Sequence, residues 1–100
     1  MDKLAKYRTE LNTIDEQIIA LLGQRYAICR NVARHKKEQQ IPMMQHSRVN
    51  EVKERCAKLA IAQNIDPDFV RNLYSLIIDE ACKIEDVIIN SLDNEGGMNS

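Results

Sequence analysis

One hundred residues with a formal net charge of −1 make a single small domain, and the near balance of charge gives no electrostatic basis for binding nucleic acid or an anionic membrane. No apolar run is long enough to span a bilayer, and the three cysteines lack the spacing of a metal site. We therefore expect a soluble cytoplasmic protein with reduced thiols. The lack of tryptophan and the single phenylalanine argue against an all-β fold.

The first predicted element is one long helix. From Lys3 to about Gln39 the chain has no proline and only one glycine, which at ~1.5 Å per residue gives a length of ~50 Å. Alternating steps of three and four residues trace a seam in which eight of nine positions are apolar or aromatic. The seam consists of Leu4, Tyr7, Leu11, Ile14, Ile18, Leu21, Arg25, Ile28 and Val32. A helix this long exceeds the needs of so small a domain, which indicates a partner chain.

A second apolar stripe runs beside the seam and predicts a bundle of more than two helices. It consists of Ile19, Leu22, Tyr26, Cys29 and Ala33.

Two further helices are predicted after the break at Pro42. Ser47 is a plausible N-cap for a short helix from about Arg48 to Gln63. Its apolar face consists of Val49, Val52, Cys56, Leu59 and Ala60. Asp66 followed by Pro67 is a strong start signal for a third helix, which is expected to end near Leu92. Its predicted core face consists of Val70, Tyr74, Ile77, Ile78, Ala81, Ile84 and Ile88. The sequence therefore predicts an all-α chain of three helices, long, short and long, in one domain of residues 1–93, with a disordered tail at 94–100.

Arg25 is the one charged member of the seam. A guanidinium cannot be deprotonated, and burying it without partners costs several kcal/mol. Either the long side chain of Arg25 reaches water, or the seam encloses an anion. Arg25 and Lys36 are eleven residues apart, so both leave the same helix face ~16 Å apart along the axis and can converge on a small anion.

Arg8 lies seventeen residues before Arg25, or ~25 Å along the helix. It can share a ligand with Arg25 only if a second copy of the first helix runs antiparallel. For Arg8 and Lys36 the alternative is an ordinary solvated cation. Arg48 opens the second helix, where backbone N–H groups favour anions, and its alternative is a surface arginine.

Glu85 is the second charge at an apolar position. It lies four residues after Ala81 and three before Ile88 on the predicted inner face of the third helix. Desolvation there should raise its pKa toward a neutral acid that donates a hydrogen bond. The alternative is a salt bridge to a basic neighbour such as Arg25. The two histidines lack companion ligands, so no metal site is expected.

In these features the chain resembles the all-helical chorismate mutases, which are intertwined homodimers of three-helix chains. The resemblance covers about residues 4–92. It rests on Leu4-x-x-x-Arg8, on Ile14-Asp15-x-x-Ile18-x-x-Leu21-Leu22-x-x-Arg25, on Lys36, Pro42 and Arg48, and on Leu76-Ile77-Ile78-Asp79-Glu80. It implies the chorismate mutase type II fold and two active sites, each completed by an arginine from the partner.

The resemblance also implies a role for each candidate residue in a [3,3] rearrangement of a dicarboxylate substrate. Arg25 would hold one carboxylate and the partner's Arg8 the other. Lys36 and Glu85 would donate to the ether oxygen of the breaking bond, without metal or cofactor. Arg48 would join the substrate-binding set. Gln45 and Val49 would line the pocket at the C4 substituent of the ring, and Ala81 would lie near a carboxylate.

Two departures concern the identity of the substrate. Val49 stands where chorismate mutases of phenylalanine and tyrosine synthesis usually have a glutamate, and Ala81 replaces a serine of the family. The region around Arg48 and Val49 is most similar to the subgroup that rearranges 4-amino-4-deoxychorismate. Chorismate, 4-amino-4-deoxychorismate and, for an isochorismate-pyruvate lyase, isochorismate are therefore the candidate substrates. A non-catalytic helical dimerisation module is the alternative outside enzymes.

Overall fold

The computed structural model describes residues 2–42 and 46–99, with side chains over 2–42 and 47–90. It contains three α-helices: α1 is Lys3–Gln39, α2 is His46–Ala62 and α3 is Pro67–Asn99. No strand occurs in the described ranges, so the predicted all-α class and the long-short-long order are confirmed. α3 is the central element, because it packs against both α1 and α2. The chain is elongated, with principal extents of 67 × 30 × 15 Å.

Local hydrogen bonds define the helix ends. Asp2 caps α1, because its side chain accepts from the backbone N–H of Leu4 at 3.0 Å. Asp66 accepts from the N–H of Asp68 at 2.9 Å and places Pro67 at the first position of α3, as predicted. These short capping residues satisfy N–H groups that the first helical turn leaves without partners.

The C-termini of α1 and α2 both close in a left-handed residue. Gln40 has a φ of 56° and Asn64 a φ of 60°. After α1, the N–H of Ile41 donates to the carbonyl of Lys36 at 2.9 Å, and the corresponding bond after α2 runs from Ile65 to Ala60 at 2.9 Å. This is the Schellman arrangement, and in α1 it fixes the turn that carries Lys36.

Substitution by glycine at Gln40 and Asn64 gives a testable prediction about stability. A left-handed backbone costs a residue with a Cβ about 1–2 kcal/mol, whereas asparagine adopts it more readily. We expect Gln40→Gly to raise the free energy of unfolding by about 1 kcal/mol. This is a net value, from which the cost of the conformational entropy that glycine adds to the unfolded chain has been subtracted. Asn64→Gly is the matched control and should gain less. Urea unfolding at fixed protein concentration compares them, and a loss of stability in Gln40→Gly would contradict the account.

The core lies between α2 and α3. Its buried members are Val52, Cys56, Ala60 and Val70, with the half-buried Tyr74 and Ile78 packed against them. On the surface of the same interface Arg71 donates to both carboxylate oxygens of Glu54 at 3.0 Å. It also donates to Asp68 at 2.6 Å. This bidentate contact ties α2, which carries Arg48, to α3.

α1 packs on α3 through its second apolar stripe, not through the seam. Ala33 is fully buried, and the Tyr26 hydroxyl donates to the backbone carbonyl of Ile77 at 3.2 Å. Ile19, at the start of the stripe, is exposed. The eight apolar members of the seam are all exposed, with values such as 62% for Ile28. Within the described chain, no helix covers this face of α1.

Three predictions about the elements need correction or qualification. α2 begins at His46, so Ser47 lies inside the helix and is not its N-cap. Leu59 was expected on the core face of α2 but is 56% exposed, because the contact with α3 is centred on small residues and is rotated toward Ala57. α3 continues beyond the predicted end near Leu92, to Asn99. The disordered tail at 94–100 stays a prediction.

Candidate active site

One cavity of about 150 Å³ collects side chains from all three helices. It contains six of the eight residues singled out from the sequence. Its walls are Arg25, Cys29, Lys36, Arg48, Val49, Val52, Ile78, Ala81, Cys82 and Glu85. α1 contributes the cations that the helical spacing placed on one face, and α3 contributes the acid opposite them. The cavity is therefore cationic on one side, with a carboxyl group facing the cations.

Arg25 neither reaches fully into water nor forms an ion pair. Its side chain is half-buried, and its Cζ lies 5.7 Å from the centroid of the Tyr74 ring. Its Nη1 lies 3.9 Å from the sulfur of Cys29. No carboxylate of the described residues lies within 4.0 Å of it. The guanidinium is thus held by neutral groups at the cavity wall, which leaves its charge uncompensated there.

Lys36 and Glu85 face each other across the cavity. Lys36 Nζ lies 3.9 Å from Glu85 Oε1, and the two side chains are only 19% and 11% exposed. This distance allows a charge interaction but is too long for a hydrogen bond. Glu85 Oε1 is buried and has no hydrogen-bond partner among the described residues. A buried carboxyl oxygen without a partner is costly, and this one belongs to a side chain that lines the cavity.

The pKa of Glu85 is raised above its ordinary value of 4.5. Desolvation is the main cause, and the charge of Asp86 adds to it, while Lys36 and Arg25 oppose it. Burial therefore outweighs the neighbouring cations and favours the neutral acid, as predicted from the sequence. A protonated Glu85 can donate a hydrogen bond into the cavity, as a glutamine would.

Glu85→Gln is expected to stabilise the fold at pH 8. Because the pKa of Glu85 is higher in the folded than in the unfolded chain, protonation of this carboxyl group favours the folded state. The stabilisation is complete below about pH 4.5 and is lost as the pH rises through the folded pKa. The amide does not ionise, so the gain in Tm should shrink toward pH 4. Thermal unfolding across pH 4–8 measures it, and an equal shift at all pH values would contradict a raised pKa.

The α2 side of the cavity is more open. Arg48 lies in the first turn of α2 and is 59% exposed along its side chain, and its Nη1 donates to Glu51 Oε1 at 2.9 Å. Val49 is half-buried and presents only methyl groups to the cavity. Ala81 is buried on α3. This end of the cavity therefore has one cation on a long side chain and an apolar wall, and none of the described residues that line it is acidic.

One predicted site residue lies away from the cavity, and another is not described. Arg8 is exposed on the N-terminal half of α1 and does not line the cavity. Gln45 lies outside the described residues.

Sequence reasoning treated the cysteines as reduced thiols without a metal site, and it missed two of them as cavity walls. Burial raises the pKa of both Cys29 and Cys82, which keeps them as neutral thiols. Cys29 follows Arg25 by four residues and Cys82 precedes Glu85 by three. Helical spacing from the two charged residues could have placed both thiols in the wall.

The described part of the chain contains no cluster of three or more histidine, cysteine or acidic side chains that could hold a metal ion. Within it, none of the helices combines the length and apolar character needed to cross a membrane.

Comparison with known proteins identifies the family. Residues 7–86 match the family model described as chorismate mutase type II. The chain belongs to the type II chorismate mutases. This match extends from the second turn of α1 to Asp86 and so includes all the described residues of the cavity. The protein is an enzyme of the isomerase class with chorismate mutase-type activity, and its substrate is a small molecule of the chorismate type.

Two similar chorismate mutase relatives are named 4-amino-4-deoxychorismate mutase. That of Streptomyces venezuelae is 35% identical over 89 residues, covering 89% of this chain and 86% of the relative. That of Streptomyces pristinaespiralis is 37% identical over 90 residues, covering 90% of this chain and 70% of the relative. A protein named chorismate mutase from Methanocaldococcus jannaschii is 23% identical and is covered over 96% of its length.

Proposed function

We propose that this chorismate mutase rearranges 4-amino-4-deoxychorismate to 4-amino-4-deoxyprephenate, with the chorismate-to-prephenate reaction as the second candidate. The observation that carries the proposal is the convergence of Arg25, Lys36 and Glu85 on one cavity. The choice of substrate rests on the ring end. Val49 stands where chorismate mutases of phenylalanine and tyrosine synthesis usually have a glutamate, and the two Streptomyces relatives carry the name of the amino reaction.

The rearrangement breaks one C–O bond and forms one C–C bond within the same molecule, so no group and no electron leaves it. The enzyme must hold a flexible dianion in a compact, chair-like conformation. Arg25, supported by neutral groups, is suited to one carboxylate because a guanidinium binds it with two parallel hydrogen bonds. Orientation of reacting atoms can supply several kcal/mol in total, of which a unimolecular reaction gains only part.

Negative charge develops on the ether oxygen as the C–O bond breaks. Lys36 and protonated Glu85 are donors on opposite walls, and an oxygen between them would satisfy the unpartnered Glu85 carboxyl group. Each donor aimed at developing charge in a dry site is typically worth about 3–4 kcal/mol of barrier. Lys36 is the larger contributor because it is charged. We expect the rate to fall as the pH rises and Glu85 ionises, and Glu85→Gln to keep its activity at pH 8.

The second carboxylate is assigned to Arg8, which does not line the cavity of its own chain. We propose that a homodimer supplies it. The exposed seam of α1 is nearly symmetric about Ile18, since Leu4 and Val32 lie equally far from it and Tyr7 and Ile28 nearly so. Antiparallel pairing of two copies would bury the seam and bring the partner's Arg8 opposite Ile28, next to the cavity wall.

An isochorismate-pyruvate lyase on the same scaffold is the next candidate, because the absence of a glutamate at Val49 fits it as well. Such a lyase would use the same donors to help pyruvate leave. A non-catalytic dimerisation module accounts for the exposed seam but not for a cavity that gathers cations and an unpartnered acid.

Incubation with chorismate, 4-amino-4-deoxychorismate and isochorismate tests the proposal. The amino substrate should give the highest kcat/KM, with a product of unchanged mass. A preference for chorismate would move the assignment to the second candidate. Release of pyruvate from isochorismate as the fastest reaction would identify a lyase, and no conversion of any of the three would refute the catalytic proposal.

A further inference from the structure

We propose that Tyr74 is a positioning residue that holds the Arg25 guanidinium in place for the substrate carboxylate. The inference rests on the proposed function, because it assigns Arg25 to that carboxylate. Tyr74 is not among the cavity-lining residues, so it acts through Arg25 and not on the substrate.

The geometry behind Arg25 supports this role. The Cζ of Arg25 lies over the Tyr74 ring, 5.7 Å from its centroid, within the distance at which a guanidinium is attracted to an aromatic face. Tyr74 itself packs on the buried cluster of Val52, Cys56 and Val70. The ring is therefore a fixed part of the α2–α3 core, and it supports an arginine that comes from α1.

The support is neutral, and this has a chemical consequence. Arg71 on the same helix is bound by the carboxylates of Glu54 and Asp68, and its charge is compensated. Arg25 contacts a ring and a thiol instead. An aromatic face orients a guanidinium and accepts none of the hydrogen bonds that its N–H groups can donate in the guanidinium plane. Arg25 is thus held in position while its charge, and its N–H donors other than the one on Nη1 that meets the Cys29 sulfur, stay available for an incoming anion.

This role predicts a specific pattern in substitutions at Tyr74. Tyr74→Phe keeps the ring and should change KM by no more than about twofold. Tyr74→Leu keeps an apolar side chain but loses the ring face, and should raise KM about three- to thirtyfold, in line with the range of cation–π interactions. Because Arg25 binds the carboxylate in both the ground state and the transition state, kcat should change much less than KM.

A double-mutant cycle separates positioning from packing. The readout is the Kd of the bicyclic dicarboxylate mimic of the transition state, measured by calorimetry for Tyr74→Leu in the wild-type and Arg25→Gln backgrounds. Glutamine carries neither a positive charge nor a guanidinium for the ring to hold, so the Tyr74→Leu effect should fall to about twofold or less. Equal fold-changes in both backgrounds would overturn the inference, because they would mean that Tyr74 acts through the core alone.

A second series keeps the test decisive if Tyr74→Leu does not fold. Phenylalanine analogues with increasing ring fluorination at position 74 preserve size while weakening the negative ring face. Kd should rise steadily with fluorination, and a flat series would overturn the inference. Failure of the wild-type protein to bind the mimic would instead refute the proposed function, so the two failures are distinguishable.

Discussion

Lys36→Ala is expected to lower kcat about 10²- to 10³-fold, the usual loss when one donor to a developing oxyanion is removed. The side chain is mostly buried at the cavity, 3.9 Å from Glu85, and it is the only lysine among the lining residues. Its charge acts mainly when the C–O bond breaks, so KM should change less than kcat. Steady-state kinetics with the best of the three candidate substrates, together with Tm, measure the effect.

Lys37→Ala is the matched control for this prediction. Lys37 lies in the same last turn of α1 but does not line the cavity. The Lys37→Ala variant should keep kcat within about twofold of wild type, since long-range charge effects are screened by salt. A loss confined to KM in Lys36→Ala, or equal losses in both variants, would contradict the assignment of Lys36 to the ether oxygen.

Arg8→Ala and Arg25→Ala are each expected to abolish nearly all activity as pure proteins, and to restore it when mixed. In a mixed dimer, one site would combine an intact Arg25 with an intact Arg8 from the partner, while the other site would lack both. Random exchange of equal amounts should therefore recover about a quarter of wild-type activity, from the statistics of a two-chain, two-site dimer. Co-refolding the two variants and measuring kcat/KM per chain tests this.

The control mixes each inactive variant with itself under the same refolding conditions, and it should recover nothing. Restored activity would require Arg8 to act across the dimer, since α1 holds the two arginines ~25 Å apart within one chain. A mixture no more active than its separate components would refute the shared site. A protein that stays monomeric throughout would refute the homodimer as well.

Helix content was readable from the sequence because local signals agree with each other. The capping residue Asp66, the break at Pro42 and the apolar spacing all act within a few residues. The start of α2 was misplaced because serine is a good N-cap wherever a helix begins. Its presence does not show at which residue the backbone becomes helical. Leu59 was misassigned because helical spacing identifies an apolar stripe but not which part of it faces the neighbouring helix. In α2 the contact with α3 is rotated toward small residues such as Ala57, which leaves Leu59 exposed.

The cavity was only partly readable. Arg25 and Glu85 were visible as charges at apolar positions, and the structure brings both to one cavity. α3 covers the second stripe of α1 and leaves the seam exposed. Tertiary packing decides which of these two apolar faces is covered, and no local sequence pattern predicts it. Tyr74 was predicted only as a core residue, because a contact between a ring on α3 and an arginine on α1 depends on tertiary packing.

The most direct test of the central claim follows 4-amino-4-deoxychorismate by NMR in the presence of the purified wild-type protein. We predict conversion to a single isomeric product without release of pyruvate, and loss of nearly all of that conversion in Lys36→Ala. Unchanged substrate after prolonged incubation with a folded wild-type protein, or conversion that persists at the wild-type rate in Lys36→Ala, would contradict a rearrangement carried out in this cavity.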